Sequence, residues 1–117
     1  MSDKKALKES SAGMRLIALV TIFNGQDVAR LERYIADSFS VELLASIDSQ
    51  ARADGLRTLR SEIGKLQVRQ VIGASKENVI VLLRSEFGND LLVDLRVGEE
   101  YPHTILDISI TSLNLPQ

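Results

Sequence analysis

The spacing of apolar residues changes once along this chain, near Gly64, and that change restricts the possible folds more than any other feature. Upstream, apolar residues recur at i, i+3, i+4 and i+7, the stripe of an amphipathic helix. Downstream they fall on every second position, the mark of a strand with one buried face.

Leu16, Leu19, Val20 and Phe23 predict a helix from about Ser11 to Phe23, with Asn24 and Gly25 suited to its exit. Val28, Leu31 and Ile35 predict a second, capped by Asp27, whose carboxylate suits the free backbone N–H groups of a first turn. Ala53, Leu56, Leu59 and Ile63 predict a third, starting at Asp48 or Ser49 and closed by Gly64 in a left-handed C-terminal cap. Between the second and third, Phe39, Val41, Leu43 and Leu44 read as a plug for the open end of the core.

Four strands follow. Leu66, Val68 and Ile72 share a face with Gln70, and Val79, Val81, Leu83 and Phe87 oppose Arg84 and Glu86. Leu91, Val93, Leu95 and Val97 oppose Leu92, Asp94 and Arg96, and Leu106, Ile108 and Ile110 oppose Ile105, Asp107 and Ser109. Gly88-Asn89-Asp90 marks a hairpin turn between the second and third strands, Ser75 to Asn78 form the previous turn, and Pro102 belongs to a third connection. A sheet with one apolar face needs a cover, so the expected architecture is α+β, three N-terminal helices packed on a curved four-stranded antiparallel sheet. No helix lies between strands, which excludes a Rossmann-like unit. The domain is expected over residues 11–113, with residues 1–10 as a flexible N-terminal tail and 114–117 as a C-terminal tail.

Composition removes several functions. Fourteen basic against sixteen acidic side chains give a net charge of −2, with no local basic patch, so neither nucleic acid nor an anionic membrane is an expected partner. The chain has no cysteine and one histidine, His103, so no metal site and no cofactor is expected. The apolar N-terminal run is broken by Arg15, Thr21 and Asn24, well short of the roughly 20 residues that span a bilayer. With no signal peptide evident, the sequence reads as a cytoplasmic protein.

The order of three helices and a bent sheet, with the strings FNGQD from Phe23 and YIADSFSVE from Tyr34, resembles the nuclear transport factor 2-like superfamily, including its ketosteroid isomerase and SnoaL-like branches. The resemblance implies a cone-shaped, cystatin-like fold, a pocket between sheet and helices, and a homodimer. A closer likeness, carried by Gly64-Lys-Leu-Gln-Val68 and by PHTILDISI from Pro102 to Ile110, is to small accessory domains beside bacterial serine hydrolases of the beta-lactamase type. It implies the accessory domain alone, without the hydrolase chemistry, and a serine hydrolase as a partner.

In the resembling isomerases a tyrosine donor and a carboxylate base face a dry pocket; here those positions fall on Leu19 and Leu43, which neither donate nor accept a proton. Asp37, Glu42 and Asp48 remain as nearby acids, Asp37 the foremost, and His103 is the one residue available for the Asp–His pair of the dehydratase branch. The expected pocket lining is Leu19, Phe23, Tyr34, Phe39, Leu43 and Gln70, of which Gln70 among aliphatic neighbours points to a polar cavity, unless a bulge turns it outward. On the other sheet face, Ile80, Leu82, Leu92 and Ile105 beside Arg84, Asp94 and Arg96 form an expected dimer surface. The sequence therefore predicts a non-catalytic accessory or small-molecule-binding domain for an apolar ligand, with a small cofactor-independent isomerase, lyase or hydrolase as the alternative.

Overall fold

In the computed structural model, which describes residues 3–113, all the helices precede Gly64 and all the strands of the one sheet follow it. The helices are α1 (Asp3–Lys8), α2 (Ser11–Gly25), α3 (Val28–Ser38), α4 (Val41–Ser46) and α5 (Ser49–Ile63). The strands are β1 (Leu66–Ala74), β2 (Asn78–Ser85), β3 (Asp90–Val97) and β4 (Ile105–Ser112), antiparallel and in the order β1-β2-β3-β4. The expected C-terminal tail lies outside the described residues.

Helix starts follow the expected chemistry. Asp27 Oδ1 accepts from Arg30 N at 3.1 Å at the head of α3, and Asp48 Oδ1 accepts from Ala51 N at 2.8 Å at the head of α5. The ends depart from it. Gln26, not Gly25, takes the left-handed conformation after α2, at φ 66°. Gly64 has φ 81° but an extended ψ of −163°, so it turns the chain directly into β1. A Cβ there would lie 2.7 Å from Glu86 Cβ, because the β2–β3 turn packs against this junction.

α2 crosses the inner face of β1, β2 and β3, while α3 and α5 pack on each other and on α2. Between helices and sheet lie Leu16, Leu19, Ile35, Val81, Leu83, Val93 and Leu95, all buried.

Residues 1–10 were expected to be a tail, yet Asp3–Lys8 is a helix and Leu7 is 1% exposed within the core. The reason is Gly13. A Cβ at that position would sit 2.2 Å from the Leu7 carbonyl oxygen, so only glycine lets the α1 backbone press onto the first turn of α2. Ser10 completes the joint: its hydroxyl caps α2 by accepting from Gly13 N at 3.0 Å and donates to Ser75 O at 2.7 Å, tying the helices to the β1–β2 turn.

Two strands carry irregularities that move residues to the face opposite the expected one. In β1 the register slips between Val68 and Gln70 and again between Val71 and Gly73. Gln70 is thereby exposed and Val71 partly buried, while Ile72 is 54% exposed. In β4 the slip lies opposite Arg96/Val97, so Ile105 is fully buried. Phe87 leaves the strand altogether and sits 64% exposed in the turn.

Candidate functional site

The interior between helices and sheet is nearly filled, and a cleft of about 320 Å³ lined by Leu19, Phe39, Ile47, Arg52, Leu56 and Ile108 opens beside α5. Between α2, α5 and the sheet remains about 20 Å³, surrounded by Leu19, Phe23, Leu56, Leu83, Val93 and Ile108 without a polar side chain. Leu19, Phe23 and Phe39 are buried, and Leu43 packs against the core from α4. Gln70 is not in this lining. The bulge at Arg69 places it across from Leu82 on the outer face, which corrects its assignment to the pocket.

Asp37 stands exposed on α3 and His103 lies in the β3–β4 connection. The His103 ring is held by a 2.9 Å hydrogen bond between Nδ1 and Gly98 O; a carbonyl oxygen only accepts, so Nδ1 carries the proton. Its backbone, at φ 58°, is fixed by His103 N donating to Glu100 O at 2.8 Å and by its own carbonyl accepting from Arg15 Nε at 3.1 Å.

Arg15 is the residue that sequence reasoning missed in this corner. It also donates through Nη2 to Pro102 O at 2.6 Å and through Nη1 to Ser38 Oγ at 3.0 Å, so one guanidinium fastens the loop to α2 and α3. Tyr34 was expected at the pocket mouth; its hydroxyl donates to Arg15 O at 3.1 Å, beside a shallow groove formed with Met14, Pro102 and His103. These contacts brace a loop, and every polar atom of the Arg15 fork has an acceptor.

The FNGQD string has an equally structural use. Asn24 Oδ1 accepts from Leu66 N at 2.7 Å and Asn24 Nδ2 donates to Leu66 O at 2.9 Å, so its amide pairs with the start of β1 as a neighbouring strand residue would.

One cleft lies among helices only. Ile22, Phe23, Val28, Leu31 and Leu56 form its apolar walls, with Gln26, Asp27, Arg57, Arg60 and Ser61 at its rim, around a volume of about 300 Å³. Arg60 makes one long hydrogen bond, Nη2 to Asn24 O at 3.4 Å, and its Nε is buried without an acceptor.

The outer face of the sheet presents Ile80, Leu82 and Leu92, each partly buried, with Leu82 directly opposite Leu92. Arg84, Asp94 and Arg96 are exposed around them, whereas Ile105 faces the core and leaves the expected dimer surface. Arg84 grips Asp90 with both nitrogens of one edge, Nε–Oδ1 at 2.8 Å and Nη2–Oδ2 at 3.1 Å. That hydrogen bond holds the Asp90 carboxyl below the usual carboxylate range and the Arg84 guanidinium above its usual value, against a smaller opposing effect of desolvation. Arg96 stands across from Asp107, and Asp94 accepts from Asn78 Nδ2 at 2.8 Å.

Among the described residues no cluster of acids and histidine is arranged to hold a metal ion, and no helix is long and apolar enough to cross a membrane. Fold and surface together define an α+β domain with a nearly filled interior, several surface clefts and a mixed apolar and charged sheet face. Compared with known proteins, the chain matches no family model, no curated protein and no solved structure.

Proposed function

We propose that this chain is a non-catalytic, nuclear transport factor 2-like accessory domain that acts by self-association through the outer face of its sheet. The observation that carries this reading is the composition of that face. Ile80, Leu82 and Leu92 make a small apolar centre, ringed by Arg84, Arg96, Asp90, Asp94 and Asp107. A two-fold interface brings one patch against itself, so it needs both signs of charge in the same patch; this one has them. Association would remove the aliphatic centre from water and leave the arginine–carboxylate pairs at the rim, where they set orientation more than affinity.

The nearly filled interior supports a non-catalytic role. The resemblance gives the places of donor and base to Leu19 and Leu43, the enclosed apolar space is about 20 Å³, and the cleft of about 320 Å³ beside it is lined by Leu19, Phe39, Arg52 and Ile108 without a carboxylate or histidine to move a proton. An enzyme using Asp37 or His103 is the weaker reading: Asp37 is exposed on α3, and His103 Nδ1 is bonded to a backbone carbonyl, Gly98 O, rather than to a carboxylate.

Sedimentation equilibrium on the 12.9 kDa chain tests the proposal. The expected result is a dimer that Leu82→Arg converts to a folded monomer, while His103→Ala leaves it intact. A wild-type chain that stays monomeric at high concentration overturns self-association and leaves the face to a different protein, for which the resemblance implies a serine hydrolase.

A further inference from the structure

We infer that the cleft between α2, α3 and α5 binds a small monocarboxylate with a short apolar tail, its head on the Arg60 guanidinium and its tail along Phe23, Leu31 and Leu56. The argument begins with Arg60, whose five N–H donors meet one carbonyl at 3.4 Å while its Nε is shut away from both water and any acceptor. The Nη donors beside these apolar walls have one long hydrogen bond between them, and an anion at the open edge of the guanidinium supplies the charge-assisted partner they lack. The same chain shows what a satisfied guanidinium looks like: Arg84 takes both oxygens of Asp90 at 2.8 and 3.1 Å.

The surroundings select the charge of the ligand. Arg57 also lines the cleft, held loosely by Asp54 at 3.7 Å, and Asp27 supplies one carboxylate, whose Oδ1 already caps α3. One net positive charge among these three suits a monoanion, and Asp27 opposes a dianion such as a phosphate monoester. The volume of about 300 Å³ sets the size. At about 30 Å³ per water-sized unit it accommodates roughly ten non-hydrogen atoms, the size of an eight-carbon fatty acid. The cleft is built from helices and shares no residue with the sheet face, so it stands or falls separately from self-association.

Titration of the full chain with octanoate, followed by amide chemical shifts, tests the inference. Shifts should concentrate at Gln26–Leu31 and Leu56–Ser61, with octanol binding at least tenfold more weakly. Arg60→Gln should weaken octanoate at least tenfold while Arg84→Gln does not. Ser61 is exposed, so Ser61→Trp can block the cleft without removing charge, and it should abolish binding in a folded chain even if Arg60→Gln is unstable. Equal affinity for octanoate and octanol, undiminished binding in Ser61→Trp, shifts confined to other surfaces, or none at all would overturn it.

Discussion

Replacing Gly13 by alanine puts the docking of α1 to a direct test. In an unobstructed helix interior that change stabilises by about 0.8–1.0 kcal/mol, because alanine loses less backbone freedom on folding. At Gly13 the new methyl would meet the Leu7 carbonyl oxygen at 2.2 Å and Leu7 Cα at 2.7 Å, and backbone cannot yield as a side-chain tip can. α1 must therefore lift away, taking with it the Leu7 side chain, whose burial contributes about 1.5–3 kcal/mol. The net expectation is a loss of about 1–2 kcal/mol, which with a urea dependence near 1.5 kcal/mol/M lowers the unfolding midpoint by roughly 1 M. Gly55→Ala in α5 is the control: nothing lies within 4 Å of the added methyl, so the same substitution should raise the midpoint by roughly 0.6 M. A double-mutant cycle sharpens the result. Leu7→Ala should cost about 2–3 kcal/mol in the natural chain and little in the Gly13→Ala background, since the leucine is already undocked. If Gly13→Ala stabilises as Gly55→Ala does, or if the two losses simply add, α1 does not rest on Gly13 and the reasoning fails.

Asn24→Ala should lower stability by about 1–3 kcal/mol in urea unfolding, because both backbone groups of Leu66 lose their partner; a change under about 0.5 kcal/mol would contradict the pairing. Gly64→Ala combines positive φ with contact against Glu86 and should cost about 1–2 kcal/mol, and a second change, Glu86→Gly, which removes the Cβ it meets, should make the Gly64→Ala loss smaller in that background. Gln70→Thr, on the exposed outer face, should stay within about 0.5 kcal/mol of the natural chain; a larger loss would return Gln70 to the interior. Asp90 has a depressed folded-state pKa, so its contribution is present above the unfolded value of about 3.9 and lost as pH falls through the lower folded value. A carboxyl-carbon NMR titration should place its midpoint below about 3.9, and Arg84→Gln should return it there; an unmoved midpoint would mean the ion pair does not persist in solution.

How far the sequence could be read follows from what each residue's signal depends on. Val79, Val81 and Leu83, and Leu91, Val93, Leu95 and Val97, keep strict alternation along unbroken strands, so their inward face was legible. Gln70, Ile72 and Ile105 were misplaced by register slips, and a one-residue bulge reverses faces without leaving a mark in the apolar pattern. Asp27 and Asp48 were legible as caps because capping is local chemistry, whereas the burial of Leu7 depends on Gly13 and on contact between helices. Arg15 did carry a signal. It is the one charged residue in the fifteen of α2, and a lone charge in so apolar a helix asks for specific partners. Arg60 carried none, since arginine near a helix C-terminus is ordinary, and only the geometry reveals its unmet Nε.

The strands pair strictly in the order of the chain, which leaves β1 and β4 as the two margins of the sheet. Both margins are met by residues from the helical half. The Asn24 amide pairs with Leu66, the first residue of β1, and Ser40 N donates to Ile105 O at 2.9 Å beside the short parallel bridge between Phe39 and Ile105. During synthesis from the N-terminus, these residues leave the ribosome before the strands whose first residues they hold. Each margin thus finds an intramolecular partner for its first residue as it emerges, which pins the start of β1 and of β4 to helices already made.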